Sequence, residues 1–104
     1  MKVKFKEKEY IAVGTYYNGD DNKAITLIDS KSKQPIATAT INMPDMRLPA
    51  NTVFIKDYSE NTGMVKALVE AGIIHDKVMY TLQSTFVNVS AYSLTNKAIN
   101  KLWE

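Results

Sequence analysis

The residue types best suited to chemistry are few. His75 is the single histidine, Asp76 follows it, and Ser59, Ser84 and Ser90 could in principle complete a Ser-His-Asp relay. Such a relay needs a nucleophile held on a strained turn within reach of its base, and no nucleophile-elbow motif surrounds these serines. His75 and Asp76 read instead as a solvated loop after a helix. One histidine and no cysteine leave too few favoured ligands for zinc. Asn18-Gly19-Asp20-Asp21-Asn22 carries enough oxygens to raise calcium. It lacks the alternating ligands and distal bidentate glutamate of an EF-hand loop, so it reads as a hairpin turn. No catalytic residue, metal or cofactor is expected, and the chain reads as a non-enzyme.

Charge offers a different chemistry. Lys2, Lys4, Lys6 and Lys8 alternate with Val3 and Phe5, so in a strand the lysines line one face. A basic stripe of this kind could track phosphates. It also suits a solvated edge strand, where lysines discourage sheet-to-sheet pairing, and no arginine or aromatic interleaves it. Asp45 and Arg47 form a second candidate. They sit between Pro44 and Pro49 in a stiff, non-helical excursion whose Met46 and Leu48 can turn inward. A rigid loop loses little entropy on binding, and arginine is favoured at interface hot spots. The polar hinge at Lys56, Asp57, Tyr58 and Glu60 completes the expected partner-binding surface.

The elements that must position these residues are legible from periodicity. After the lysine strand, Tyr10 to Tyr17, Lys23 to Asp29, Ile36 to Met43 and Asn51 to Tyr58 read as strands. In the third of these, the small Ala37 and Ala39 suggest close packing, as under a helix. Val53, Phe54 and Ile55 place apolar groups on both faces, as in a central strand. Ser59 is the expected N-cap of a helix whose stripe is Met64, Val65, Leu68 and Val69, with Gly63 in its first turn and Gly72 just past its end. Val78 to Gln83 fits neither template. Phe86 to Ser93 reads as a strand, and Thr95 caps a last helix with Leu94 and Ile99 as a hydrophobic staple. The expected fold is α+β: a mainly antiparallel sheet of about five strands, one central amphipathic helix packed on it, and a short C-terminal helix.

Size and composition frame this as a single domain, residues 1–104. The hydrophobic fraction of 45% and charged fraction of 23% are those of an ordinary globular protein. No cysteine is present, which suits a reducing cytoplasm. No apolar run approaches a membrane span, and MKVKFKEKEY lacks the apolar core of a signal peptide, so no membrane role is expected. The net charge of +2 is too small to demand a polyanion, and with a single arginine, Arg47, base-specific duplex reading is poorly supported.

Several segments occur in a recurring order: YYNG (Tyr16 to Gly19), AITLID (Ala24 to Asp29), PIATATINMP (Pro35 to Pro44), LPANTVFIKD (Leu48 to Asp57) and ALVEAGI (Ala67 to Ile73). In this the chain resembles a family of small, largely uncharacterised proteins carried by phages, plasmids and other mobile elements of Firmicutes and Bacteroidetes. Where many relatives start the last strand with a glycine and an aromatic, this chain has Thr85-Phe86. It also resembles anti-CRISPR proteins that inhibit the RNA-guided nuclease of type II-A systems. Those inhibitors are commonly acidic mimics of nucleic acid, and this chain is slightly basic. The resemblance implies a protein-binding inhibitor of a CRISPR effector nuclease, acting in the bacterial cytoplasm by surface complementarity or by competition at a nucleic-acid channel through the basic strand. The alternative is a nucleic-acid-binding accessory protein using Lys2, Lys4, Lys6 and Lys8.

Overall fold

The computed structural model describes residues 1–104 except Asp20, Ser84 and Thr85. The Ser84 relay candidate, the Asp20 position of the hairpin turn and the Thr85 departure therefore lie outside the described residues. The chain is α+β, with two antiparallel four-stranded sheets rather than one sheet of about five strands. The first sheet has the order β1 (Lys2–Phe5), β2 (Lys8–Tyr16), β3 (Lys23–Asp29), β4 (Pro35–Thr38). The second runs β5 (Thr40–Ile41), β6 (Thr52–Ile55), β8 (Asn88–Leu94), β7 (Ile74–Gln83).

Two features account for the difference. The segment expected to be one strand from Ile36 to Met43 is divided at Ala39, which is fully buried. The Ala39 N–H donates to Ile25 O of the first sheet at 2.8 Å, and its carbonyl accepts from Lys56 N at 2.8 Å, next to β6. The small side chain thus marks where the chain passes from one sheet to the other, in the same core as Met64, Ala67 and Leu68 of α1. The second feature is β7, which takes in Val78 to Gln83 and also His75 and Asp76, so these two lie on an exposed strand and not in a loop.

The helices fill what the sheets leave open. α1 (Met64–Glu70) packs against β1 and β7, the outer edges of the two sheets. It buries Met64, Ala67 and Leu68 in a core shared with Val3, Ile25, Leu27, Val53, Ile55 and Ile73. Its end is as the sequence predicts. Gly72 takes a φ of 76°, Ile73 N donates to Leu68 O and Gly72 N to Val69 O, which is the paired bonding of a Schellman stop. Its start is not. Ser59 opens a 3-10 turn, Ser59–Asn61, with a φ of 56°, and Gly63 is the residue before the helix with a φ of 96°. A Cβ at Gly63 would meet nothing within 4 Å, so its backbone angle, and not close approach, is what favours glycine there.

α2 (Asn96–Trp103) is capped as expected: the Thr95 hydroxyl accepts from Ala98 N at 3.1 Å and donates to Gly72 O at 2.6 Å. It lies on β2 over Gly14, where a Cβ would meet Leu102 O at 2.6 Å and the Trp103 ring at 2.8 Å. The Trp103 indole N–H donates to Thr15 O at 2.8 Å and fixes the helix over the strand. Here the close neighbour is backbone and cannot swing aside. Gly14→Ala should therefore lower stability by about 1–3 kcal/mol in urea unfolding, with an altered Trp103 emission in the folded state.

Candidate functional site

Both expected partner-binding segments send residues to the outer face of the second sheet: Met46 and Leu48 from the loop and Tyr58 from the hinge. Ile41, Phe54, Ala91 and Tyr80 form one row across its four strands. Phe54, Val89 and Ala91 are buried in a cluster separate from the main core, and Phe54 meets Tyr80 edge to face at 6.3 Å. No helix covers this face. Met43, Met46, Leu48 and Tyr58 pack against it instead. Sequence reasoning placed Met46 and Leu48 inward with Asp45 and Arg47 outward, and that is the arrangement found: the first two are half-buried, the second two exposed. Met46 N donates to Met43 O at 3.0 Å, closing a turn with Pro44 at its second position, where a fixed φ is favourable. The loop is thus held by apolar anchors and leaves its charges outward. Beside it lies an open cleft of about 240 Å³ whose lining includes Tyr17, Asn42, Met46, Asn51 and Phe54.

The hinge is more committed to the fold than its sequence suggests. The Asp57 carboxylate accepts from Gly63 N at 2.6 Å, Met64 N at 3.2 Å and Val65 N at 3.3 Å. It is therefore the cap of α1, reaching across the 3-10 turn to the free N–H groups and the positive end of the dipole. Asn61, almost fully buried, ties that turn to the sheet crossing by donating to Thr38 O at 2.8 Å. Lys56 pairs with Glu60 and stands 5.4 Å from the Tyr58 ring. The bond from Lys56 holds the Glu60 carboxyl down at about 2 and raises the Lys56 ammonium. Of the hinge residues, Tyr58 packs with the outer-face cluster, whereas Asp57 is bonded to the start of α1 and Lys56 and Glu60 to each other.

The lysine stripe is divided. Lys2 and Lys4 are exposed on β1 above buried Val3 and Phe5, as alternation predicts. Lys6 and Glu7 instead form the hairpin turn with φ of 51° and 63°, and Lys8 begins β2 opposite Phe5. Lys2 pairs with Glu9 at 3.7 Å, Lys8 with Asp29 at 3.5 Å, and Lys6 donates to Glu60 O at 2.6 Å. The four ammonium groups do not form one continuous line. Ser90 shares a hydrogen bond with Thr81 at 3.0 Å, toward the opposite end of β7 from His75. Among the described residues, no three His, Asp or Glu side chains cluster as a metal site. Among the described residues, no helix is long and apolar enough to cross a membrane.

Protein-family models, curated proteins and solved structures were each compared with this chain, and none matches. The resemblance carried by the ordered segments stands as an expectation.

Two outcomes test this account. Asp57→Ala should cost about 1–2 kcal/mol, as loss of a helix cap does, and Asp57→Asn, which keeps an acceptor, should cost less in the same urea titration. The second concerns acid. Backbone N–H groups of Ser32 and Lys31, with Lys8 nearby, lower the Asp29 carboxyl from 3.8 to about 2. A carboxyl lowered on folding stabilises the fold above its unfolded value and loses that contribution as pH falls through the folded one. Asp29→Asn should lower the melting temperature near neutrality and flatten its decline as pH falls from 3.8 to about 2.

Proposed function

We propose that this chain is a non-enzymatic, mobile-element-encoded inhibitor that binds a protein of a host defence system, with the type II RNA-guided nuclease as its target. The observation that carries protein binding is the loop from Pro44 to Pro49: anchored through Met46 and Leu48 on the outer face against which Tyr58 also packs, it holds Asp45 and Arg47 outward. Such a surface is preorganised, and a preorganised loop spends little of its contact energy on ordering. The nuclease as target rests on the resemblance of the ordered segments. Of the expected partner-binding residues, Asp45, Arg47 and Tyr58 contact the target, while Asp57 caps α1 and Lys56 and Glu60 pair with each other. The protein acts in the cytoplasm of the bacterial host.

The competing reading, a nucleic-acid accessory protein using Lys2, Lys4, Lys6 and Lys8, draws on the exposed pair Lys2 and Lys4 on β1. The division of the stripe and the partners of Lys2, Lys6 and Lys8 weigh against it. Phosphate binding weakens steeply with salt, whereas a rigid protein interface of mixed chemistry does so far less.

The deciding experiment is target-DNA cleavage by a guide-loaded type II nuclease with the protein added before or after DNA, alongside a gel shift of DNA with the protein alone. Inhibition without a shift is expected. Arg47→Glu should raise the inhibitory concentration roughly tenfold or more, as removal of an interface anchor does, with an unchanged melting temperature. Replacing the four lysines by alanine should leave inhibition intact. A salt-sensitive shift without inhibition would overturn the proposal in favour of the lysines.

A further inference from the structure

The turn between β2 and β3 holds a reactive pair. Of the eight asparagines in the chain, Asn18 is the one followed by glycine. An asparagine side-chain amide lies one ring closure away from the backbone nitrogen of the next residue. A side chain on that next residue shields the nitrogen and restricts the rotation that closure requires. Gly19 has none, whereas Lys, Met, Thr or Val follows each of the other asparagines.

Local structure separates these positions further. Asn96 and Asn100 lie in α2, Asn88 starts β8, and Asn61 is almost fully buried with its amide donating to Thr38 O. Asn22 and Asn42 share a hydrogen bond at 3.0 Å, and Asn51 precedes the β-branched Thr52 at the start of β6. Asn18 and Gly19 are both exposed and form part of a turn. The ladder ends before them: Tyr16 is the last residue of β2, and Tyr17 N donates to Asn22 O at 2.8 Å, closing the loop beneath. Gly19 has a φ of 88°, and a Cβ there would meet nothing within 4 Å. The peptide joining Asn18 to Gly19 therefore has room to rotate, and water reaches it.

We infer that Asn18 is a site of spontaneous deamidation, with water as the co-reactant. Hydroxide removes the Gly19 N–H proton, and the nitrogen attacks the side-chain carbonyl carbon of Asn18, Cγ. An N–Cγ bond forms, the Cγ–Nδ2 bond breaks, and Nδ2 leaves as ammonia after taking a proton from water. Water then opens the cyclic imide at either of its carbonyls. One opening gives aspartate at position 18. The other gives isoaspartate, in which the backbone runs through the former side chain and is one methylene longer. Nothing is oxidised or reduced. The net charge falls by one from +2. The new carboxylate arises in the loop that lines the cleft beside Met46 and Phe54 through Tyr17, Asp21 and Asn22. The inference is independent of the proposed inhibitory role.

The test is to hold the folded protein in mildly alkaline buffer for days beside a synthetic peptide of the sequence from Tyr16 to Lys23. Intact mass and fragment spectra then follow both. A gain of about 1 Da at Asn18 is expected in the folded protein, with isoaspartate in the product and a faster gain at higher pH. A more acidic band in isoelectric focusing should grow in step with it. Asn18→Gln, whose amide must close a larger ring, should slow the gain roughly tenfold or more. Its exposed position in the turn leaves the fold intact, which circular dichroism checks. An Asn18 that stays unchanged in the folded protein while the peptide converts would overturn the inference, because the turn would then forbid ring closure. Conversion of another asparagine ahead of Asn18 would overturn it as well.

Discussion

The fold depends on the backbone of Ala39. Its N–H is bonded to one sheet and its carbonyl to the segment leading out of the other, within a single residue that no solvent reaches. In so small a domain two sheets must share a core, and that core must be closed where they diverge. Ala39 joins them on one side. On the other, α1 spans from β1 to β7 and supplies Met64 and Leu68 to the space between. The Thr40 hydroxyl reinforces the crossing: it accepts from Ile25 N at 3.2 Å and shares a hydrogen bond with Tyr17 at 2.8 Å. A larger side chain at position 39 would have to displace both sheets.

Given that crossing, the two segments read as a binding surface acquire different roles. The stretch Met43 to Pro49 leaves β5 and must return to β6, and it does so over the outer face because Met46 and Leu48 find Phe54 there. The stretch Lys56 to Glu60 leaves β6 and must turn into α1, and Asp57 spends its carboxylate on that turn. Charge on a polar hinge is therefore not equivalent to charge on an anchored loop. One belongs to the architecture, the other is exposed on an anchored loop.

What the sequence disclosed depended on how local each signal was. Gly72 and Thr95 were legible because a helix stop and an N-cap need only their immediate neighbours. Met46 and Leu48 were legible because two prolines exclude helix and leave alternation as the guide. Asp57 was not, because its acceptor role spans six to eight residues through a turn that Ser59 enters with positive φ. β7 was hidden for another reason: it is exposed along nearly its whole length, and register shifts break the period-two pattern on which strand assignment relies. The division into two sheets was hidden because an alanine that joins sheets and an alanine beneath a helix look alike in a sequence. Lys6 was misplaced for want of a turn signal, since neither it nor Glu7 is a residue type that favours positive φ.

The contact between α2 and β2 also sets an order of events. Gly14 and Thr15 leave the ribosome long before Trp103, which lies 88 residues further along the chain from its hydrogen-bond partner. Without α2 docked, Gly14 would leave a trough on β2 where Leu102 and Trp103 now lie. Closure of that trough is a late, non-local step, of the kind that slows folding without adding much to local structure. The single tryptophan of the chain sits at that contact, so its fluorescence reports the docking of α2 on β2.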